Sequence, residues 1–204
     1  MVVGSSNSKS DLRKVFKERM EQSAARASAS DLQGLYARME KFLAPHPGIW
    51  GVYHTHQQEI PFPQHLKIQG VSFVHPKVKG PSLEFLLGSE FTEGPYGILE
   101  PDPRSAVDID LSSMVGIFIP ALAYDHLGVR LGRGKGYYDR ALAHYEGLKI
   151  GLVWDSQVSS DSLPCEEHDL QVDLIMTEQR LVEVLNSKTV DGSPDSQKKG
   201  PQWR

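Results

Sequence analysis

The chain has a single cysteine among its 204 residues, and it lacks both a long apolar run and an excess of basic residues. Cys165 cannot form a disulfide within the chain, which is compatible with a reducing compartment and favours the cytoplasm. No uninterrupted apolar run reaches the roughly 18 residues that indicate a membrane span. A formal net charge of -4 offers no basic surface for nucleic acid. We therefore expect neither a membrane nor a nucleic-acid partner.

The chain length and composition indicate one globular domain with short flanking segments. The first ten residues lack the apolar region of a secretory signal. Hydrophobic residues at 39% and charged residues at 24% are typical of a folded protein that buries a core. After Ser187 the sequence is polar and rich in helix breakers. We expect a flexible N-terminus over residues 1–8, one domain over residues 9–186, and a disordered tail over residues 187–204.

Apolar periodicity predicts four helices and six strands. The helices are residues 12–20, residues 32–43, residues 138–145, and a last one for which Thr177 is the N-cap and which carries Leu181, Val184 and Leu185. The strands are residues 49–54, 71–75, 83–87, 115–120, 149–154 and 172–176. This alternation predicts an α/β fold in three layers, with a mostly parallel central sheet and helices on both faces.

A glycine-rich loop, R-L-G-R-G-K-G-Y-Y-D-R, occupies residues 130–140. Its three alternating glycines let the backbone approach an anion, because glycine lacks a Cβ atom and permits positive φ. Arg133 and Lys135 lie between the glycines and add positive charge, which favours a polyphosphate ligand. Asp139 suits either a Mg²⁺ ligand beside a phosphate or a partner of the helix dipole. The spacing matches neither a Walker A loop nor a dinucleotide-binding fingerprint.

Residues 120–139, P-A-L-A-Y-D-H-L-G-V-R-L-G-R-G-K-G-Y-Y-D, resemble the signature of the 5-formyltetrahydrofolate cyclo-ligases, also called methenyltetrahydrofolate synthetases. Other segments resemble that family in order and spacing. They are residues 9–13, which resemble its N-terminal Lys-x-x-Leu-Arg, residues 58–60, which resemble its substrate-side glutamate segment, and residues 97–101 and 168–173. The resemblance covers about residues 9–185.

The resemblance implies an ATP-dependent ligase of one-carbon folate metabolism, with Mg²⁺ as its metal ion and ATP as co-substrate. Such an enzyme converts 5-formyltetrahydrofolate to 5,10-methenyltetrahydrofolate and releases ADP and phosphate. Transfer of the γ-phosphoryl group to the formyl oxygen makes that oxygen a good leaving group, so that N10 of the folate can attack. We expect a cytoplasmic monomer that acts on these small molecules.

The same resemblance implies the residues of the site. ATP would be bound by Lys9, Arg13, Arg130, Leu131, Gly132, Arg133, Gly134, Lys135, Gly136, Tyr137 and Tyr138. The folate would be bound by His54, Glu59, Tyr96, Arg133, Gly134, Lys135, Gly136 and Tyr137. Arg133 and Lys135 would act catalytically on the transferring phosphate, and Asp139 and Asp169 would hold Mg²⁺. Glu59 would accept hydrogen bonds from the pterin, and Tyr96 would stack on it.

Several of these residues also have simpler explanations. Lys9 and Arg13 lie four positions apart on a helix and fit a solvated face equally well. Asp169 is favoured over Asp173 as a metal ligand, although either could be a turn residue. His54 stands where the family usually has a hydrophobic contact. This departure keeps open the alternative of a non-catalytic relative that binds a nucleotide or a folate.

Two other residue pairs suggest different chemistry. His54 and His56 would project from one face of a strand, as half of a zinc or copper site. Cys165 and His168 form a Cys-His pair, which would need an orienting third group to act as a nucleophile. No second ligand cluster and no orienting group is evident in the sequence, so an incidental arrangement is favoured for both pairs.

Overall fold

The computed structural model describes residues 8–184. Within this range the helices are α1 Lys9–Arg26, α2 Ala29–Leu43 and α3 Tyr137–Ala141. The strands are β1 Gly48–Gly51, β2 Val71–Lys79, β3 Ser82–Leu87, β4 Phe91–Glu93, β5 Leu99–Pro101, β6 Val107–Asp108, β7 Met114–Pro120, β8 Ala123–Asp125, β9 Arg130–Leu131, β10 Leu148–Leu152, β11 Val158–Ser159, β12 Leu174–Met176 and β13 Leu181–Glu183. The fold is therefore mixed α/β.

A large central sheet organises these elements. Its eight strands follow the order β13-β12-β10-β7-β1-β2-β3-β6. The five strands from β12 to β2 run parallel, whereas β13, β3 and β6 pair antiparallel with their neighbours. Two smaller sheets, β11-β8-β9 and β4-β5, share no strand pairing with the central sheet. The predicted central sheet is therefore present, and its parallel strands are five of the six inner ones.

The buried side chains form one cluster on each face of the central sheet. Along β7, Phe118 belongs to the first cluster, whereas Ile117 and Ile119 belong to the second, as the alternation of a strand requires. Helices α1 and α2 both contribute buried residues, such as Phe16 and Leu35, to the first cluster. Among the α-helices described over residues 8–184, only the five-residue α3 packs on the second face. The predicted three-layer arrangement with helices on both faces is therefore not confirmed.

Helices α1 and α2 confirm the two helices predicted at the start of the chain. Ser8 caps α1 by accepting a hydrogen bond from the backbone N–H of Asp11. Ser28 and Asp31 form a reciprocal capping box at the start of α2. Most apolar positions of the two helices face the sheet, because burial of that stripe supplies most of a short helix's stability, whereas Val15 is exposed. The buried members are Phe16, Met20, Leu35, Met39 and Leu43.

The predicted final helix is wrong over its described part. Thr177 does act as a cap, but its hydroxyl accepts the backbone N–H groups of Gln179 and Arg180 and so closes a tight turn. The chain then reverses as β13, which pairs antiparallel with β12. A short apolar spacing fits a helix and an edge strand equally well, and the exposed edge of β12 decides between them.

Some expectations fall outside the described residues. The predicted tail over residues 187–204 lies there, as do Leu185 and all of the predicted flexible N-terminus except Ser8. The domain boundaries at residues 9 and 186 therefore stay predictions. Across residues 8–184, no helix combines the length and apolar character needed to cross a membrane.

Candidate functional site

A buried carboxylate anchors the hairpin that leads into the glycine loop. Strands β8 and β9 pair antiparallel, and Asp125 at the end of β8 is only 1% exposed. Its Oδ1 atom accepts the backbone N–H groups of Leu127 and Val129 at 2.9 and 3.0 Å. Its Oδ2 atom accepts the N–H of Leu163 at 2.8 Å. One side chain therefore ties the hairpin turn to a distant loop and sets where the glycine loop begins.

The glycine loop itself depends on positive φ angles. Gly134 has φ of +92° and Gly136 has φ of +69°, and Gly136 directly precedes α3. Other residue types rarely adopt these angles, so the loop needs glycine there. Helix α3 ends at Ala141, earlier than predicted, although Leu142 and Tyr145 are still buried in the second cluster. The loop cations, rather than a long helix dipole, therefore dominate the positive charge of the site.

Two cavities meet at this loop. The smaller has a volume of about 260 Å³ and is lined by Tyr53, His54, His56, Glu59, Pro76, Val78, Leu83, Pro95, Tyr96, Ile98, Glu100, Pro120, Ala121, Arg130, Gly132, Arg133, Lys135, Gly136, Tyr137 and Tyr138. The larger has a volume of about 720 Å³ and is lined by Lys9, Arg13, Arg130, Leu131, Gly132, Gly134, Lys135, Gly136, Asp139, Arg140, Leu142, Ala143, Tyr145, Lys149, Glu166, Glu167, His168, Asp169, Leu170 and Gln171. The residues that line both are Arg130, Gly132, Lys135 and Gly136. The arrangement suits two ligands that react across a shared wall.

Helix α1 contributes two cations to the larger cavity. Lys9 Nζ lies 2.6 Å from Oδ2 of Asp169 and 2.7 Å from Oε1 of Glu166. Arg13 Nε donates to the carbonyl oxygen of Gly132 at 3.0 Å, which ties α1 to the loop. Burial disfavours the charged form of Lys9, but its bonds to the two carboxylates outweigh burial and raise its pKa. Lys9 and Arg13 therefore face the site rather than solvent alone.

The two predicted metal ligands lie in the same cavity. Asp139 accepts the backbone N–H of Leu170 at 3.2 Å and lies 3.5 Å from Nη1 of Arg130. Burial would raise the pKa of Asp169, but the hydrogen bond from Lys9 and the N–H of Glu166 lower it, so the carboxylate stays ionised. Two carboxylates that line one cavity are oxygen donors of the kind that Mg²⁺ prefers.

The described residues hold no group of three or more His, Cys, Asp or Glu side chains arranged around a metal ion. The donor set for Mg²⁺ would therefore need phosphate oxygens and water in addition to the two carboxylates. Asp173, the alternative ligand, lies directly before β12 and does not line this cavity. There it accepts the backbone N–H of Lys149 at 2.8 Å and pairs with the ammonium group of the same residue at 3.5 Å.

An ion pair crosses the smaller cavity. Arg133 Nε and Nη2 each lie 3.1 Å from Oε1 of Glu59, and Arg133 Nη1 lies 3.3 Å from Oε1 of Gln57. Oε2 of Glu59 accepts the backbone N–H of His56 at 3.1 Å. The Glu59 side chain is 10% exposed, so it is a built part of the pocket rather than a surface charge.

The exposed side chain of Tyr96 borders the same cavity on a strained backbone. Its φ is +69°, which is uncommon for a residue with a Cβ atom and typical of functional sites. Its hydroxyl lies 3.2 Å from that of Tyr137, and Lys135 Nζ lies 5.9 Å from its ring centroid. Tyr138 was predicted on the nucleotide side and Tyr137 on both sides, and both line the smaller cavity alone. The aromatic rings therefore gather on one side of the loop.

His54 forms part of an aromatic stack behind the smaller cavity. Its ring stacks on His75 with centroids 4.5 Å apart, and Phe91 meets both rings edge-on. Gln64 uses its amide nitrogen to donate to the carbonyls of Tyr53 and Phe62, so its oxygen accepts from Nε2 of His75 at 3.0 Å. Burial lowers the pKa of His54, and burial together with His54 lowers that of His75 to about 3. Both imidazoles are therefore neutral near pH 7.

The stack predicts acid sensitivity. The unfolded chain protonates His75 near pH 6.5, whereas the folded protein does so only near 3, so acid favours unfolding as the pH falls below 6.5. When the pH falls from about 7.5 to about 5.5, the unfolding free energy of the wild type should decrease by about 1 kcal/mol more than that of His75→Phe. Urea unfolding at the two pH values measures this. Equal losses in both proteins would contradict it.

Asp125 and His75 were not predicted as functional residues from the sequence. Asp125 had a local signal, since an Asp shortly before a glycine is typical of a turn in which the carboxylate binds backbone N–H groups. His75 had none, because its partners Gln64 and His54 meet it only through the fold. Arg130 was predicted to bind ATP, and it also donates two hydrogen bonds to the carbonyl of Pro120, which fixes it in the shared wall.

The fold and the site together define a mixed α/β protein with a two-compartment ligand site around a glycine loop. The model of the 5-formyltetrahydrofolate cyclo-ligase family matches residues 5–178. The chain belongs to that family.

Curated relatives carry the same family name. A 5-formyltetrahydrofolate cyclo-ligase of Mycolicibacterium smegmatis is 36% identical over 92 residues, which cover 44% of this chain and 47% of that protein. A 5-formyltetrahydrofolate cyclo-ligase of Escherichia coli (strain K12) is 35% identical over 98 residues, which cover 47% of this chain and 53% of that protein. The chain thus spans about half the length of the curated relatives it matches.

Two solved structures share the fold. The NMR structure of a 5,10-methenyltetrahydrofolate synthetase of Aquifex aeolicus has a TM-score of 0.67 at 23% identity, and the match covers 96% of this chain and 96% of that one. A 5,10-methenyltetrahydrofolate synthetase of Mycoplasma pneumoniae has a TM-score of 0.66 at 24% identity, covering 84% of this chain and 99% of that one. At these identities the likeness shows the fold alone.

Proposed function

We propose that the protein is an ATP- and Mg²⁺-dependent ligase that converts 5-formyltetrahydrofolate to 5,10-methenyltetrahydrofolate, with release of ADP and phosphate. The observation that carries the proposal is the pair of cavities that meet at one glycine loop. A phosphoryl transfer between two bound substrates needs such a shared wall, because the reacting atoms must approach to about 3 Å. The names of the matched relatives support the same reaction.

The proposed reaction overcomes a poor electrophile. The formyl oxygen attacks the γ-phosphorus of ATP and ADP departs, which leaves an imidate-like phosphate on the folate. N10 then bonds to the formyl carbon, the phosphate departs with the former carbonyl oxygen, and N10 gives up its proton. The protein mainly aligns the two substrates and neutralises the charge that develops.

On the nucleotide side, the larger cavity would hold the triphosphate. Lys9 and Arg13 face it from α1, and the backbone of residues 130–136 supplies the glycines. Lys135 lines both cavities, so its ammonium group is well placed to contact the transferring phosphoryl group. Mg²⁺, held by Asp139 and Asp169, would neutralise the phosphate oxygens.

On the folate side, the smaller and largely apolar cavity would hold the pterin. Glu59 would accept its hydrogen bonds, and a buried acceptor of this kind rejects analogues that lack the matching donors. Tyr96 would stack on the rings, and His54 would form the wall as a neutral imidazole.

We propose that the protein acts in the cytoplasm and that it is a monomer.

The test is the appearance of the methenyl chromophore when purified protein meets 5-formyltetrahydrofolate, ATP and Mg²⁺. Product above a control without enzyme, together with stoichiometric ADP, is the expected result.

The second candidate is a non-catalytic relative that binds a nucleotide or a folate. The feature that favours it is His54, which stands where the family usually has a hydrophobic contact. Binding of either ligand without turnover would favour that candidate and reject the ligase.

The proposed metal ligands predict a change in Mg²⁺ dependence. Asp139→Asn and Asp169→Asn should each raise the Mg²⁺ concentration for half-maximal activity at least about tenfold, because even partners of metal ligands are worth about 10- to 100-fold in affinity. Mg²⁺ titrations at saturating ATP measure this. Asp173→Asn is the matched control and should leave the Mg²⁺ dependence unchanged. A larger shift in Asp173→Asn than in Asp169→Asn would exchange their roles.

A further inference from the structure

Arg133 and Glu59 have proposed roles that their contacts do not allow at the same time. Oε1 of Glu59 already accepts two hydrogen bonds from Arg133, and Oε2 accepts the backbone N–H of His56. A carboxylate engaged on both oxygens has little acceptor capacity left in the plane where a pterin would donate. Recognition of the pterin by Glu59 therefore requires Arg133 to move.

Arg133 also lies on the wrong side of the loop for its own task. It lines the smaller cavity and not the larger, whereas Lys135 lines both. A guanidinium group bound to Glu59 and Gln57 is directed towards the folate side. To contact the γ-phosphate, Arg133 must leave Glu59, so one movement serves both roles.

The local backbone permits this movement. Arg133 lies between two glycines, and the second of them, Gly134, has φ of +92°. The Arg133 side chain is 33% exposed, so it can turn without repacking the core. Gln57, which accepts a hydrogen bond from Arg133, has φ of +55°, which strains a residue other than glycine. The ion pair thus joins two segments with unusual backbone conformations on the wall of the smaller cavity.

We propose that Glu59 holds Arg133 away from the phosphate until the folate binds. The pterin displaces Arg133 from Glu59, and the released guanidinium group turns to the γ-phosphate and completes the site for phosphoryl transfer. Folate binding and triphosphate binding are then coupled, and each strengthens the other by the same factor. This coupling suppresses ATP hydrolysis when no formyl folate is present. The inference rests on the proposed function and adds a regulation to it.

Binding measurements on the full chain test the coupling. The wild type is titrated with a β,γ-imido analogue of ATP and with ADP, each with and without saturating 5-formyltetrahydrofolate. The folate should tighten binding of the triphosphate analogue at least about fivefold, the lower end of typical couplings between sites. It should change ADP binding little, because ADP lacks the γ-phosphate that Arg133 contacts.

Two variants separate the release of Arg133 from pterin recognition. In Glu59→Gln, affinity for the triphosphate analogue without folate should rise several-fold, and ATP hydrolysis without folate should rise with it. Gln57→Asn should show a smaller rise, because it shortens one partner of Arg133 while asparagine tolerates positive φ. Glu84→Gln removes the charge of a partly buried carboxylate that pairs with the exposed Lys79, outside both cavities, and is the matched control, with no expected change.

The outcomes separate the coupling from the proposed function. If both ligands bind but neither the folate nor Glu59→Gln changes triphosphate affinity, the coupling is overturned and the ligase proposal stands. If only folate affinity falls in Glu59→Gln, Glu59 is a pterin contact alone. If the wild type binds neither ligand, the proposed function and the coupling are both rejected. Should Glu59→Gln fail to fold, Gln57→Asn and the wild-type titrations decide.

Discussion

Arg133→Ala is expected to lower kcat about 10²- to 10³-fold, the cost of removing one donor from a site of developing charge. The guanidinium group would neutralise the transferring phosphoryl group. Lys135 lacks its two-pronged geometry, and the guanidinium group of Arg130 is already bound to the carbonyl of Pro120 and lies beside Asp139. The affinity for 5-formyltetrahydrofolate should stay the same or tighten, because Glu59 is relieved of its ion pair. Chromophore formation under single-turnover conditions and folate titrations measure the two quantities separately.

Two further variants define what Arg133 contributes. Arg133→Lys keeps the charge but not the planar fork, so kcat should recover only in part. Arg26→Ala removes an exposed arginine in the last turn of α1 and should leave kcat unchanged. Equal losses of kcat and folate affinity in Arg133→Ala would assign Arg133 to positioning of the substrate, against a role in the chemical step.

Asp125→Ala is expected to destabilise the protein by about 3 kcal/mol or more, because three backbone N–H groups lose their acceptor and each buried unsatisfied donor costs about 1–3 kcal/mol. Two of those donors, from Val129 and Leu163, are themselves buried. The hairpin they close positions the glycine loop, so activity should fall even where the protein stays folded. Urea unfolding followed by tryptophan fluorescence measures the stability.

Asp110 offers a matched comparison. Its carboxylate also accepts the backbone N–H of a residue two positions later, Ser112, but Asp110 is exposed. Asp110→Ala should cost at most about 1 kcal/mol, as water replaces the lost acceptor. Asp125→Asn should be intermediate, because its carbonyl oxygen can keep the bonds from Leu127 and Val129 while its amide nitrogen cannot accept from Leu163. Equal costs for Asp110→Ala and Asp125→Ala would show that burial of the carboxylate adds nothing.

Local pattern sufficed where the signal lay within one element. Helices α1 and α2 follow from apolar spacing, and β7 follows from an apolar run buried on both faces. The glycine loop is equally local, since its alternating glycines and cations are adjacent in the chain. Local pattern failed after Thr177, where three residues pair with β12 rather than form a helix.

The sequence by itself determined the opening helices, the central strands, the alternation of glycines and cations over residues 130–136 and, through the extended resemblance, the family. Only the tertiary structure decided which side chains meet. Lys9 reaches Asp169 across 160 positions, and Arg133 reaches Glu59 across 74. Periodicity and turn chemistry act over a few residues, whereas these contacts depend on strand order and on how loops pack at the edge of the sheet. The two cavities, and the ion pair between Arg133 and Glu59, are therefore properties of the fold.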